Sequence, residues 1–151
     1  MDSVPNPAYI EEVKDIVRNS PYPKHMSMVL TDLAIDRATV ELQLNDNHMQ
    51  PFGIVHGGVL ATLIDTATFW AVFMRLPEQS GLVNVDLKLN YLKRVSAGLL
   101  RAEGSSIKSG RRISYSEACI FDEKGNIVVH GTSTLMSLKK GGLPISVPKF
   151  L

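Results

Sequence analysis

VLATLIDTATFWAVFMRL, residues 59–76, is the one long apolar stretch of this chain, opened by the Gly57-Gly58 pair and closed by Pro77. Glycines before it, a proline after it and no breaker inside it predict a helix. Apolar residues fall on nearly every side of that helix, so most of its surface must be covered by other elements. Its 18 residues meet the lower length limit for crossing a membrane. Asp65, however, sits near the middle, where a carboxylate costs at least ~2.5 kcal/mol in a bilayer, and Thr62, Thr66 and Thr68 add further polarity. The stretch is therefore read as the centre of a globular fold, with no membrane partner.

Working outward from this helix, strands dominate. Val83, Val85, Leu87, Leu89 and Tyr91 alternate with Asn84, Asp86, Lys88 and Asn90, the period of a sheet with one buried face. Three further strand-like runs cover 99–107, 113–121 and 127–138, separated by turns at Ser96-Ala97-Gly98, Ser109-Gly110 and Glu123-Lys124-Gly125-Asn126. Upstream, 26–35 and 38–44 read as a hairpin about Asp36-Arg37, followed by a loop from Asn45 to His56. A short amphipathic helix is expected over 7–19, with Ile10, Val13, Ile16 and Val17 on one face and Pro21 and Pro23 closing it. The tail 139–151 holds two Gly and two Pro and reads as irregular. The order is helix, two strands, long helix, four strands. This is an α+β chain in which a six-stranded sheet curls around one central helix.

The length of 151 residues suits one domain, with a core over about 26–138. With 44% hydrophobic and 21% charged residues, the composition excludes a disordered tail or a disulfide scaffold. Sixteen Lys+Arg against fifteen Asp+Glu leave a net charge of +1 and no case for a nucleic-acid partner. Cys119 is the single cysteine and reads as a core residue of its strand. The N-terminus MDSVPNPAYIEEVKD lacks the charged-then-apolar pattern of a signal peptide, so a cytoplasmic location is expected. His25, His48, His56 and His130 lack metal-ligand spacing, and no metal is expected. A two-lobed cleft normally needs a longer chain. Any substrate pocket must come from another source.

The segment most informative for chemistry is QPFGIVHGGVLATLID, Gln50 to Asp65. Gly57 and Gly58 at a helix start leave backbone N–H groups uncovered, with the positive end of the helix dipole behind them. Such an arrangement suits an oxyanion hole; equally, the two glycines could serve only tight packing of the helix end. Asp65, among apolar neighbours, must be hydrogen-bonded, paired or facing a cavity. It is either a base whose affinity for protons is raised by burial or a structural partner of a cation across an interface. Gln50 could donate to the same oxyanion as the glycines. Gly57 and Asp65 are eight positions apart, hence ~12 Å along a helix, too far to touch one carbonyl group. If both act on one substrate, two subunits must share the site, as in a two-fold dimer with antiparallel central helices.

His56-Gly57-Gly58, with Asp65 nine positions after His56 and Gln50 six before it, resembles the hotdog-fold acyl-CoA thioesterases, in the PaaI-like and 4-hydroxybenzoyl-CoA thioesterase group. VDLKLNYLKRVSAG at 85–98 and KSGRRISYSEACIFDEKGNIVVHGTSTL at 108–135 agree with it, and the resemblance spans roughly 29–137. It implies a hotdog fold and hydrolysis of an acyl-CoA thioester to free acid and coenzyme A, with no cofactor beyond the coenzyme A carried by the substrate. Carried over by position, the Gly57 N–H polarises the thioester carbonyl and Gln50 assists, where many PaaI-like members carry Asn. Asp65 acts as general base or nucleophile, and His56 shapes the loop. Asn84 falls near a position where some members place a water-holding serine. Phe69 stands where part of the group has a hydroxyl, so Thr66 or Thr68 is the candidate to position water.

Gly58, Thr66 and Phe69 complete the expected substrate contacts. Lys108, Arg111 and Arg112 of the KSGRR turn would meet the phosphates of coenzyme A, a role that charge-assisted bonds suit, with Lys93 and Arg94 behind them. The expected partner is a second copy of the chain, in a homodimer that forms the site or a homotetramer built from two such dimers. Two other readings stand beside it: an acyl-CoA hydratase on the same fold, and a non-catalytic acyl-CoA sensor. The sequence has no Gly-x-Ser-x-Gly elbow, so an α/β-hydrolase with a similar glycine loop is excluded.

Overall fold

The structure is a computed structural model describing residues 3–151. Its elements are α1 (Pro7–Asn19), α2 (Pro21–Met26), β1 (Met28–Ala34), β2 (Arg37–Gln43), a 3-10 turn (Asp46–His48), α3 (Gly57–Phe73), β3 (Ser80–Tyr91), β4 (Leu99–Ser109), β5 (Ile113–Phe121) and β6 (Ile127–Gly141). One six-stranded antiparallel sheet runs in the order β1-β2-β4-β5-β6-β3 and curls around α3. The edges are thus β1 and β3.

Helix α3 buries Leu63, Ile64, Ala67, Ala71 and Val72 against Val40, Leu42, Leu100, Ala102, Ile120 and Leu135 of the sheet. The approach is close. A Cβ at Gly104 of β4 would lie 2.2 Å from the Ala67 carbonyl oxygen, so only glycine lets the helix settle onto the sheet there. The opposite stripe of α3, Gly57, Ala61, Asp65 and Phe69 with Gly58, Thr62, Thr66 and Trp70, recurs every four residues and stays partly exposed. One chain therefore covers most of the helix but leaves a strip carrying Asp65 open.

Several sequence expectations are corrected. The prolines at 21 and 23 do not merely end α1. Pro21 opens the separate helix α2, because proline lacks only an N–H that a first helical turn leaves unbonded anyway. That helix stops at Ser27, in the left-handed conformation with φ 57°, and β1 begins at Met28 rather than Met26. The hairpin turn falls at Ile35-Asp36, and α3 starts at Gly57 and ends at Phe73. Cys119 lies half-buried on the outer face, between Glu103 and His130 on the neighbouring strands, while Ala118 and Ile120 face the helix. Burial and the two nearby glutamates raise the pKa of its thiol.

In β3 the alternation is broken. Asn84 pairs with Leu135 and Asp86 with Thr134, leaving Val85 as an extra residue in a β-bulge. Before the bulge Leu82 points inward; after it Leu87 and Leu89 do, and Val85 is 60% exposed.

Beyond Gly141 the tail has no regular element, yet it is firmly placed. Asn6 N–H donates to the Lys149 carbonyl at 3.0 Å, and Leu151 N–H donates to the Val4 carbonyl at 2.9 Å. The Lys149 side chain is 1% exposed and donates to the carbonyls of Phe73 (2.7 Å) and Leu76 (2.8 Å), with Nζ 4.3 Å from the Phe73 ring centroid. It adds a donor to the Phe73 carbonyl at the end of α3, which also accepts the Leu76 N–H at 3.2 Å, and to the Leu76 carbonyl just beyond, and it places a cation at the negative end of the helix dipole. No helix among the described residues is long and apolar enough to cross a membrane.

Candidate active site

Residues 48–56 form a miniature hairpin rather than an open loop. His56 N–H donates to the His48 carbonyl and Gln50 N–H to the Ile54 carbonyl, both at 2.8 Å, and Met49 pairs with Val55. Gly53, with φ +78°, supplies the turn, and Phe52 stands 89% exposed at the tip. The Gln50 side-chain oxygen accepts the Phe52 N–H, which leaves its NH₂ group to donate elsewhere.

His56 is the N-cap of α3. Its Nδ1 accepts the Gly58 N–H at 2.8 Å, so Nδ1 carries no proton and Gly58 is occupied. Gly57 then contributes the first helical N–H, which has no intrahelical acceptor. It opens on a cavity of about 470 Å³ lined by Gln50, Ile54, Gly57, Leu60, Tyr91 and Arg94 among others. The Tyr91 hydroxyl donates to the Gly57 carbonyl at 3.2 Å, and a Cβ at Gly57 would lie 3.3 Å from that hydroxyl.

Asp65 does not line this cavity. It is half-buried farther along α3, and its Oδ1 accepts a hydrogen bond from the Asn84 side-chain N–H. Burial raises its pKa above the ordinary carboxylate value, an effect the Asn84 bond partly opposes. The Asn84 carbonyl oxygen is sealed from solvent with no hydrogen-bond partner among the described residues. Thr66 donates to the Thr62 carbonyl at 2.7 Å and the buried Thr68 to the Ile64 carbonyl at 2.8 Å, so each hydroxyl is left as an acceptor alone. Asn84 is the side chain that meets the carboxylate. Phe69 packs edge-on to Trp70, with ring centroids 5.1 Å apart.

The predicted residues thus fall into two groups. Gln50, His56, Gly57 and Gly58 meet at one end, beside Tyr91; Asp65 and Asn84 meet at the other. Cross-strand pairing assigns the basic turn as well. Ser109 pairs with Ser114, Ser114 with Leu135 and Leu135 with Asn84, so Lys108, Arg111 and Arg112 lie at the Asp65 end of the sheet. Tyr91 pairs with Val129, Val129 with Ile120 and Ile120 with Ala102, a row ~23 Å away along β4. Lys93 and Arg94 belong to that row's end, where Lys93 is paired with Asp122 at 2.5 Å. Among the described residues no group of His, Cys, Asp or Glu side chains is placed to hold a metal ion.

His48 lacks metal-ligand spacing and serves the structure as a cap. Its signal was local: Asn45-x-x-His48 has the spacing of a reciprocal helix cap, and the structure shows that cap.

The chain compares with known proteins as follows. The sequence profile of the "Thioesterase superfamily" matches residues 52–129. The "Proofreading thioesterase EntH" of Klebsiella pneumoniae is 30% identical over 101 residues, covering 67% of this chain and 74% of that protein. The crystal structure of thioesterase HI1161 from Haemophilus influenzae superposes with a TM-score of 0.79 at 26% identity, over 85% of this chain and 90% of that one. A mutant form of the phenylacetic acid degradation protein PaaI from Thermus thermophilus shares the fold, with a TM-score of 0.71 at 24% identity over 78% of this chain and 98% of that one.

Proposed function

The chain belongs to the thioesterase superfamily, and from that premise we propose that it hydrolyses acyl-CoA thioesters at a site shared by two subunits. The observation that carries this reading is the division of one helix: a donor-lined cavity at Gly57, and a carboxylate on the open stripe ~12 Å further on. Strand β3 supports it as an unpaired edge with Val83 and Val85 exposed, suited to antiparallel pairing with a second copy. Such pairing carries the middle of one α3 toward the start of the other.

In this mechanism the thioester carbonyl oxygen sits between the Gly57 N–H and the Gln50 side-chain NH₂, donors set for the negative charge that develops there. Asp65 of the second subunit takes a proton from water as its oxygen bonds to the carbonyl carbon. Its attack as a nucleophile, through an anhydride that water then opens, is the other route. The Asn84 side-chain N–H, bonded to Asp65 Oδ1, orients the carboxylate toward that water. Collapse breaks the C–S bond, and the thiolate takes the proton to leave as coenzyme A. Lys108, Arg111 and Arg112 come from the Asp65 subunit and meet the nucleotide phosphates. Dimers of this kind would pair into a tetramer, and the substrate implies a cytoplasmic enzyme.

The test follows thiol release from acetyl-, hexanoyl- and benzoyl-CoA with Asp65→Ala in parallel. The variant should lose ~10²–10⁴-fold in turnover. Unchanged turnover would overturn the assignment, and tight binding of all three esters without thiol release would mark the protein as a sensor.

A further inference from the structure

His48 is 2% exposed and uses both ring nitrogens. Asn45 N–H donates to Nδ1 at 3.0 Å, so the ring proton sits on Nε2, which lies 2.8 Å from the Met26 carbonyl and donates to it. That carbonyl ends α2, where a helix leaves its last C=O groups unbonded. The His48 backbone carbonyl receives the His56 N–H at 2.8 Å, the rung at the base of the hairpin, and its N–H donates to the Asn45 carbonyl at 3.0 Å. One buried side chain therefore joins α2, the 3-10 turn and the strand leading to Gln50, while its backbone fixes the residue that caps α3. On the other strand Val55 ties the hairpin to the chain after β3 through its N–H and the Val95 carbonyl, at 2.8 Å, while the tip, Pro51 to Gly53, is exposed.

We propose that His48 is a positioning residue for the thioester carbonyl, holding the 48–56 hairpin so that the Gln50 amide and the Gly57 N–H converge on one oxygen. The proposal rests on the thioesterase reading of that end. His48 touches no substrate; it acts through Gln50 and His56. A displacement of about 1 Å in such a donor can cost up to ~10²-fold in rate, so the effect belongs in kcat rather than KM.

The test is a double-mutant cycle in the full-length protein, using His48→Gln, His48→Ala and Gln50→Ala, on the best of the three acyl-CoA esters. His48→Ala should lower kcat ~10–100-fold with KM within about twofold. His48→Gln, which keeps a donor for the Met26 carbonyl, should recover part of that loss. With Gln50→Ala already present, adding His48→Gln should cost clearly less than it does alone, because one of the two donors it positions is already gone. Amide hydrogen exchange on His48→Gln gives a second readout that needs no turnover: Gln50 and His56 amides should exchange at least ~10-fold faster while Ala118 in β5 keeps its protection. Losses that multiply independently in the cycle, or unchanged exchange at Gln50 and His56, would overturn the proposal. Wild-type protein inactive on every ester would contradict the thioesterase reading instead, and the exchange arm would still decide whether His48 holds the hairpin.

Discussion

Asn84 donates its side-chain N–H to Asp65 Oδ1 while its own carbonyl oxygen is buried without a partner among the described residues. The pair joins β3 to the middle of α3, and the bulge at Val85 turns Asn84 inward to make it. Donation to a carboxylate favours its charged form, so Asn84 holds down a pKa that burial raises. Asn84→Ala should therefore shift the acid limb of kcat/KM to higher pH and lower kcat by ~10-fold or more. A pH–rate profile of both proteins checks this. An acid limb that stays in place or moves to lower pH would contradict it.

The same pKa shift bears on stability. A carboxyl whose folded pKa is raised favours the fold below its ordinary pKa, and that contribution is lost as pH rises through the raised value. At neutral pH the buried charge is a cost. Asp65→Asn should melt as high as wild type or up to about 3 °C higher at pH 7, a small gain because the carboxylate is only half-buried and partly screened. The difference should shrink below pH 4. Melting curves of an inactive but undamaged variant would show an active-site charge maintained at the expense of stability.

Lys149 gives the opposite kind of case. Burial pushes its pKa down to about 8 from 10.5, with Glu78 opposing. Replacing it by Met removes the lysine donor from the Leu76 carbonyl and one of two donors from the Phe73 carbonyl, and Lys149→Met should lower the melting temperature by several degrees at pH 7. Between about 8 and 10.5 the unfolded chain binds the proton that the fold has given up, so wild-type stability gains on the variant as pH rises through this window. Denaturant titrations at pH 7 and pH 9.5 read the widening gap.

The charge at the two ends of the sheet is separable by kinetics. If the basic turn meets coenzyme A phosphates, Arg111→Ala and Arg112→Ala should each raise KM several-fold, up to ~10-fold, with little change in kcat, since binding is lost equally from ground and transition states. Arg94→Ala, at the mouth of the Gly57 cavity, should have the smaller effect. The reverse ranking would assign the phosphates to Lys93 and Arg94.

The central helix, the number of strands and the His56-Gly57-Gly58 start of α3 were legible because each rests on local pattern: an apolar run, a period of two, a glycine pair. What escaped depended on contacts between distant residues. Alternation in β3 placed Asn84 on the polar outer face; one extra residue at Val85 reverses that parity, and nothing in the local sequence marks it. Cys119 changed faces for a related reason, since alternation alone does not say which half of β5 points inward. The loop carrying Gln50 is a hairpin whose first residue, His48, bonds to Met26, 22 positions earlier, a contact that spacing does not reveal. The placing of Thr66 and Thr68 followed from backbone carbonyls of their own helix accepting their hydroxyls, a competition that spacing does not resolve.

The claim of a site shared between subunits is tested most directly by complementation. Gly57→Pro removes the N–H at a helix position that tolerates proline, and Asp65→Ala removes the carboxylate from the other half. Each alone should be inactive. Mixed in equal amounts under conditions where subunits exchange, half of the dimers carry one intact and one doubly disabled site, so about one quarter of wild-type activity should return. Exchange without recovery of activity, or full activity in a monomer, would contradict the shared site.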